Sequence, residues 1–411
     1  MTTAAAPPRT FSREERANQR NAVLAGFLGW TLDAFDFFIL VFVLVPIAHE
    51  FNRPVKDIAL ALTASLAFRP VGAAIFGLMA DRWGRRIPLM LDILFYAVIE
   101  VLSGLAPNFT VFLILRALYG IGMGGEWGVG ASLAMESAPA KWRGVLSGLL
   151  QEGYAAGYLI AALVYWAVFP HWGWRPMFFI GGLPALLVLF VRAKVKEPEA
   201  WHKSRTTDWS SYWQVIVRNW KRFAYIVLLM TMMNLISHGT QDLYPTFLHL
   251  SRHFDPGITA VITIISMIGA ILGGLAFGLF SDWRGRRRSM IAAVLAAALV
   301  IPLWIYAPSL EWLAVGAFLM QFMVQGAWGV IPAHLNELSP GALRGFFPGF
   351  AYQLGVLFAS SVEYIEASMA ERLGYAGALA LLAAVVLLVG AIVIAAGPEA
   401  HGVSFVSATE S

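Results

Sequence analysis

GLMADRWGRR at 77–86 returns as GLFSDWRGRR at 278–287, an offset of 201 residues. The same offset carries Trp127 onto Trp328, Glu136 onto Glu337, Pro139 onto Pro340, and Arg143-Gly144 onto Arg344-Gly345. One such coincidence between apolar stretches is unremarkable, but a run of polar matches is not. The chain therefore reads as two copies of one unit, and each quoted loop is a charged turn between two apolar segments.

Those segments are long. Of 411 residues, 59% are hydrophobic and 13% charged, with a mean hydropathy of +0.68, whereas soluble domains carry roughly a quarter charged residues. A membrane span takes about 20 largely apolar residues. Charge clusters and Gly/Pro breaks place spans near 22–48, 58–80, 87–106, 111–134, 145–168 and 174–191, and again near 223–248, 258–280, 289–306, 311–334, 346–366 and 375–396. This predicts an all-α membrane protein, with a tail over 1–21, a six-helix bundle over 22–191, a polar central loop over 192–222, a second bundle over 223–396 and a tail over 397–411. The closing HGVSFVSATES reads as disordered, and the first twenty residues lack the apolar core of a signal peptide.

Positive charge orients the helices. Of the 29 Lys and Arg residues, 22 fall in segments on the side of both termini, five on the other side, and two, Arg69 and Arg116, within spans. That asymmetry predicts cytoplasmic termini. It explains a pI near 9.3 through membrane topology, with lipid as the partner and no role for nucleic acid. The chain has no cysteine, which excludes thiolate metal sites and cysteine nucleophiles. No metalloprotease or serine-hydrolase motif occurs, so the reading is not an enzyme and no cofactor or metal is expected.

The paired Gly-x-x-x-Asp-Arg-x-Gly-Arg-Arg loops, the 6 + 6 organisation and the long central loop resemble the major facilitator superfamily over nearly the whole chain. The second copy departs in order, with Asp282-Trp283-Arg284 for Asp81-Arg82-Trp83. The resemblance implies two pseudo-symmetric six-helix bundles that rock about a central cavity, working as a monomer. It places these loops on the cytoplasmic side, where Asp81, Arg85, Asp282 and Arg286 act as gates.

Ionisable groups inside spans are costly and mark a cavity or a partner. Span 7 carries Asn234, Ser237, His238, Thr240, Gln241 and Asp242. Asn234, His238 and Asp242 recur at four-residue intervals, hence on one helix face, and a histidine beside a carboxylate suits proton binding. Pro245 kinks or ends the helix. Arg69, in SLAFRPVGAAIFG, offers a permanently charged fork to a carboxylate, or else pairs with Asp33 or Asp36. Those two, in WTLDAFDFF of span 1, are further candidate proton carriers with Glu126 of span 4. Arg116 reads as an outer gate. Gln325, Tyr352 and Gln353, with Gln321, can bind a substrate oxygen or serve packing. Gln151 and Glu152 are candidates for cytoplasmic closure.

The span 7 run also fits Asn-x-x-Ser/Thr-His-x-Ser/Thr-Gln-Asp-x-x-x-Thr throughout. It is similar to the signature of Jen-type lactate/pyruvate permeases, within the sialate/metabolite:proton symporter group. That resemblance implies proton symport of a small monocarboxylate in a bacterial inner membrane, with Arg69, Asn234, His238 and Gln241 along the transport path. The alternatives are proton symport of sialic acid, a dicarboxylate or an aromatic acid, and a receptor that binds without carrying.

Overall fold

A computed structural model describes residues 12–205 and 209–405, all helical apart from turns and connections. Residues 1–11 of the expected N-terminal tail, 206–208 of the central loop and 406–411 of the C-terminal tail lie outside the described residues. Span 1 is Arg13–Glu50, span 2 Val55–Trp83, span 3 Arg86–Gly104 and span 4 Phe109–Ser137. Span 5 joins Arg143–Gln151 to Gly153–Trp172, and span 6 joins Arg175–Ile180 to Ala185–Lys194. In the second half, span 7 joins Trp220–Gln241 to Tyr244–Leu250, followed by span 8 (Pro256–Arg284), span 9 (Arg286–Tyr306) and span 10 (Leu310–Leu338).

The last apolar run, Phe347–Ala396, covers 50 residues. As one helix it would be about 75 Å long, far beyond a hydrocarbon core of about 30 Å. It breaks after Ala359 and turns at Gly374, whose φ of +69° only glycine adopts without strain. Two crossings result, giving twelve among the described residues, with both described ends of the chain on one face, here the terminal face. Span 1 begins at Arg13, inside the stretch read as a tail, because Ser12 and Glu15 form a capping box that starts the helix early.

The repeat holds at atomic detail. A Cβ on Gly72 would stand 1.6 Å from the Ile121 carbonyl oxygen, and one on Gly273 would stand 2.0 Å from that of Phe322. Both pairs obey the 201-residue offset, and both let span 2 meet span 4, and span 8 meet span 10, backbone to backbone. Asn108 and Ser309, again offset by 201, cap spans 4 and 10 through the amides of Val111 and Trp312.

The quoted loops cross the pseudo-two-fold axis. Asp81 accepts from the amides of Gly345 and Phe346 at 2.6 and 3.1 Å, while Asp282 accepts from Gly144 and Val145 at 2.7 and 3.0 Å. Each aspartate of one half thus caps a helix start of the other. Arg85 joins Asp81 to Glu136 at 2.7 and 2.8 Å, and Arg286 joins Asp282 to Glu337 at 2.8 and 2.9 Å. Arg143 adds a bond across the halves to Glu337 at 2.9 Å. The inverted order Asp282-Trp283-Arg284 leaves this geometry intact, since the offset preserves Asp282 and Arg286.

Central loop and C-terminal segment complete the seal. Tyr212, on the loop helix Trp209–Arg218, donates to Asp81 at 2.9 Å. Glu197 accepts the amides of Arg85 and Arg86, as Glu399 does those of Arg286 and Arg287. Burial pushes the Glu197 carboxyl up despite those donors. The expected disorder of 401–411 does not extend to its first five residues. Phe405 is buried between the guanidinium groups of Arg143 and Arg344, 3.8 and 3.9 Å from the ring centroid, and the Val403 carbonyl accepts from Arg143. Burial draws the Arg344 guanidinium down to about 10, so it stays charged at neutral pH.

Candidate functional site

With the terminal face sealed, space opens between the halves on the other side. A cavity of about 410 Å³ runs from Gln151 and Glu152 of span 5 past Tyr154 to Tyr158 and to Tyr244 of span 7. Gln241, Asp242, Gln321 and Gln325 supply polar groups from the second half. Gln325 donates to Ser237 at 3.2 Å and Gln321 to the Thr240 carbonyl at 3.3 Å, fixing both amides on span 7. Gln151 accepts from the Trp127 indole at 3.3 Å, and Glu152 lies against Gly274 of span 8, so both belong to the cavity wall rather than the terminal seal.

Span 7 breaks where Pro245 requires it: the ring of a proline excludes the carbonyl four residues back, and the first helix ends at Gln241. His238 Nδ1 and Asp242 Oδ2 lie 2.7 Å apart one turn above and below each other, with side chains 38% and 29% exposed. Asn234 does not extend this pair. Its amide is buried and donates to the Met230 carbonyl at 2.8 Å.

Arg69 lies behind an aromatic wall rather than in the cavity lining. It is 5% exposed, its guanidinium lies 5.7 Å from the centroid of the Tyr352 ring, and among the described residues its Nε and Nη2 have no hydrogen-bond partner. Tyr352 packs against Trp127 at 4.7 Å and Trp328 at 5.7 Å, the pair related by the repeat. Trp30 meets Tyr352 edge-on at 6.4 Å and stacks on Tyr154 at 5.7 Å, and Tyr154 faces the cavity. Rings from both halves therefore separate the free guanidinium donors from the open space. Gln353 is buried beside Tyr352 in sequence, with both amide atoms unpartnered.

Arg69 makes no ion pair with Asp33 or Asp36, although Asp33 lies within its electrostatic range. Both aspartates are fully buried in the first half, and among the described residues none of their carboxylate oxygens has a hydrogen-bond partner. Glu126 is likewise buried and unpartnered, its carboxylate set against Gly29 of span 1 instead of reaching Arg69 or the cavity. Arg116, read as an outer gate, is an interior group: it is fully buried, donates to Glu100 at 2.7 Å, and lies 4.5 Å from the centroid of Tyr119. The offset pairs Asp33 with Asn234, Glu126 with Ala327 and Arg116 with Ala317, so these three ionisable groups have no counterpart in the second half.

Sequence reasoning passed over Asp92, fully buried in span 3 with both oxygens unpartnered. The signal was present, since an aspartate inside LMLDILFYAVIE breaks the same rule as Asp33. It also passed over Tyr154, whose link from cavity to aromatic wall depends on packing between halves.

A twelve-span, two-bundle molecule sealed at one face and hollow at its seam has the build of a carrier. The family model described as Major Facilitator Superfamily matches residues 26–257, and that described as Sugar (and other) transporter matches 251–400. The chain is 31% identical over 382 residues to a carboxylic acid transporter protein homolog of Saccharomyces cerevisiae, covering 86% of this chain and 61% of that protein's length. It is 29% identical to the sialic acid transporter NanX of Escherichia coli, covering 90% and 94% of the two chains. Its fold superposes on the proton:xylose symporter XylE with a TM-score of 0.76 at 18% identity, covering 94% and 98%. The chain belongs to the Major Facilitator Superfamily. It is a multi-pass membrane transporter and not an enzyme.

Proposed function

We propose that the protein is a proton-coupled symporter of a small monocarboxylate such as lactate or pyruvate, working as a monomer by alternating access. The observation that supports this most is Arg69: a buried guanidinium with two free nitrogens, at the seam of the halves, within range of protonatable groups. A carboxylate would complete its empty donor positions with a bidentate pair. Tyr352 stands beside that position, Gln353 follows it in the chain, and Gln241 and Gln325 line the cavity beyond the rings. The positive-charge asymmetry supports a cytoplasmic terminal face; in this reading the membrane is a bacterial inner membrane and the cavity is the extracytoplasmic one.

In this scheme a proton taken up by a carboxyl of the first half, or by the His238–Asp242 pair, offsets the charge of the incoming anion. The compensated load crosses the low-dielectric seam more cheaply than a bare ion. Substrate parts the aromatic wall to reach Arg69, and release of the Asp81 and Asp282 bonds then opens the terminal face. Proteoliposome uptake of labelled lactate under an imposed inward proton gradient tests the reading. Accumulation that follows the gradient supports it, and indifference to the gradient refutes it.

The cavity's size favours a second reading. Its volume of about 410 Å³ equals about 14 waters at about 30 Å³ each, more than a three-carbon acid displaces. Sialic acid and an aromatic or dicarboxylic acid are thus the alternatives, in keeping with relatives named for sialic acid and for cis,cis-muconate. A competition panel at one pH separates them from lactate.

A further inference from the structure

We infer that the coupled proton crosses within the first half, along a ladder of buried carboxyl groups that delivers it to Asp92 near the terminal face. This rests on the symport reading and adds a route separate from the cavity between halves. Five acids build the ladder: Glu100, Asp36, Asp33, Glu126 and Asp92, all fully buried. Glu100 is paired with Arg116; among the described residues the other four have no hydrogen-bond partner for any carboxylate oxygen. A carboxyl group free of ion pairs can exchange a proton without first breaking a salt bridge.

Their order follows from their neighbours. A Cβ on Gly181 of span 6 would meet Glu100 at 2.4 Å and Asp36 at 2.8 Å, so these two flank one point. Asp36 and Asp33 are one helical turn apart and are electrostatic neighbours. Asp33 in turn neighbours Glu126, whose Oε1 lies 2.1 Å from the place a Cβ on Gly29 would take. Spans 3 and 4 bring Glu126 to Asp92: a Cβ on Gly122, one turn from Glu126, would meet Tyr96, one turn from Asp92, at 2.7 Å, and the two acids are electrostatic neighbours. Among the described residues two cations border the series, Arg116 at the Glu100 end and Arg69 beside Asp33. Asp92 stands six residues into span 3 from Arg86, about 9 Å from the terminal face.

A hydroxyl accompanies the ladder. Tyr96 is fully buried on span 3, one turn from Asp92, and its hydroxyl has no hydrogen-bond partner. Asp33, Glu126, Asp36 and Asp92 all lie within its electrostatic range. A hydroxyl donates and accepts at once, so it can relay a proton between carboxyl groups. The fold itself requires none of this. At the 201-residue offset, Asp33, Asp36, Asp92, Tyr96, Glu100 and Glu126 become Asn234, Ser237, Ala293, Ala297, Ile301 and Ala327, and the second bundle still makes the matching close approach of Gly273 to Phe322.

Each step balances. The O–H bond of a protonated Glu126 breaks as one forms on the Asp92 carboxylate, leaving Glu126 ionised to take the next proton from Asp33. No electrons move, and one proton leaves for each that enters.

The full chain in proteoliposomes decides it. Wild-type protein is measured first, with substrate uptake and internal pH followed together; if it shows no proton coupling, the symport reading fails, and the ladder with it, before any variant is made. Given coupling, Asp92→Asn should cut proton-driven accumulation by about tenfold or more while substrate exchange at equal pH stays within about twofold, and Asp92→Glu should restore accumulation. Wild-type accumulation and proton influx in Asp92→Asn would overturn the route, as would an equal fall in exchange and accumulation, which marks a structural role. If Asp92→Asn fails to insert, Tyr96→Phe, which removes one oxygen, should slow proton-driven uptake and spare exchange; unchanged proton-driven uptake would overturn the proposal. Uptake driven by a sodium gradient in place of protons would also overturn it.

Discussion

Arg69 holds its charge against the Tyr352 ring with Nε and Nη2 unpaired, and that free donor capacity makes it the residue on which substrate binding depends. Arg69→Ala should weaken carboxylate binding by about 10- to 100-fold, the worth of charge-assisted bonds of about 1.5–3 kcal/mol. Arg69→Lys should recover only part, because an ammonium lacks the fork. Calorimetry on detergent-solubilised protein checks both. His238 differs, being half exposed and bonded to Asp242 within its own helix. His238→Ala should alter the pH profile of uptake more than affinity, and an unchanged profile would remove it from the proton route. The four-residue spacing made this pair legible in sequence, since helix geometry alone brings such side chains together. Asn234 has the same spacing but turns back to its own helix, a choice set by packing that spacing does not encode. Arg116 misled for a related reason: position along a span tells depth, not which way a side chain faces.

At the scale of helices, the close pairs are glycine-dependent. A leucine at Gly273 has no room, since the first added carbon already falls 2.0 Å from the Phe322 carbonyl oxygen. Overpacking costs about 1–3 kcal/mol where neighbours can yield, and a helix backbone yields little. Gly273→Leu should therefore cost at least the upper end of that range, read as a lowered Tm in detergent or lost expression. The lock loops give a second expectation. Asp282→Asn weakens charge-assisted bonds to the amides of Gly144 and Val145 and to Arg286, so the terminal face should open more often. The chain lacks cysteine, so Ala333→Cys, at a fully buried position, provides a clean reporter. Its labelling should be slow alone and several-fold faster with Asp282→Asn; equal rates would mean that the loops do not hold the face shut. The repeated loop sequences and the glycines were visible in the chain. Their partners were not, because each aspartate bonds to the opposite half, some 140 to 260 residues away. The role of Phe405 was hidden for the same reason: a polar tail looks free until the two arginines that hold its ring are brought together.

For the whole molecule, pseudo-symmetry carries the fold and its violation carries the chemistry. Two halves built alike allow rocking about a shared seam, and the acids gathered in the first half give that motion a titratable charge to respond to. The 201-residue repeat, the span count and the charge asymmetry made the architecture readable, because they depend on composition and spacing. The cavity's volume, and the aromatic wall between it and Arg69, arise where the halves meet and have no linear signature. The most direct test reconstitutes the full chain in proteoliposomes with an acid exterior and a pH dye inside, and follows a panel of labelled acids including lactate, pyruvate, sialic acid and muconate. At least one acid should accumulate above its external level together with proton influx, and both should vanish with a protonophore or with Arg69→Ala. Accumulation of an acid at the same rate with and without the proton gradient, or undiminished in Arg69→Ala, would contradict the account.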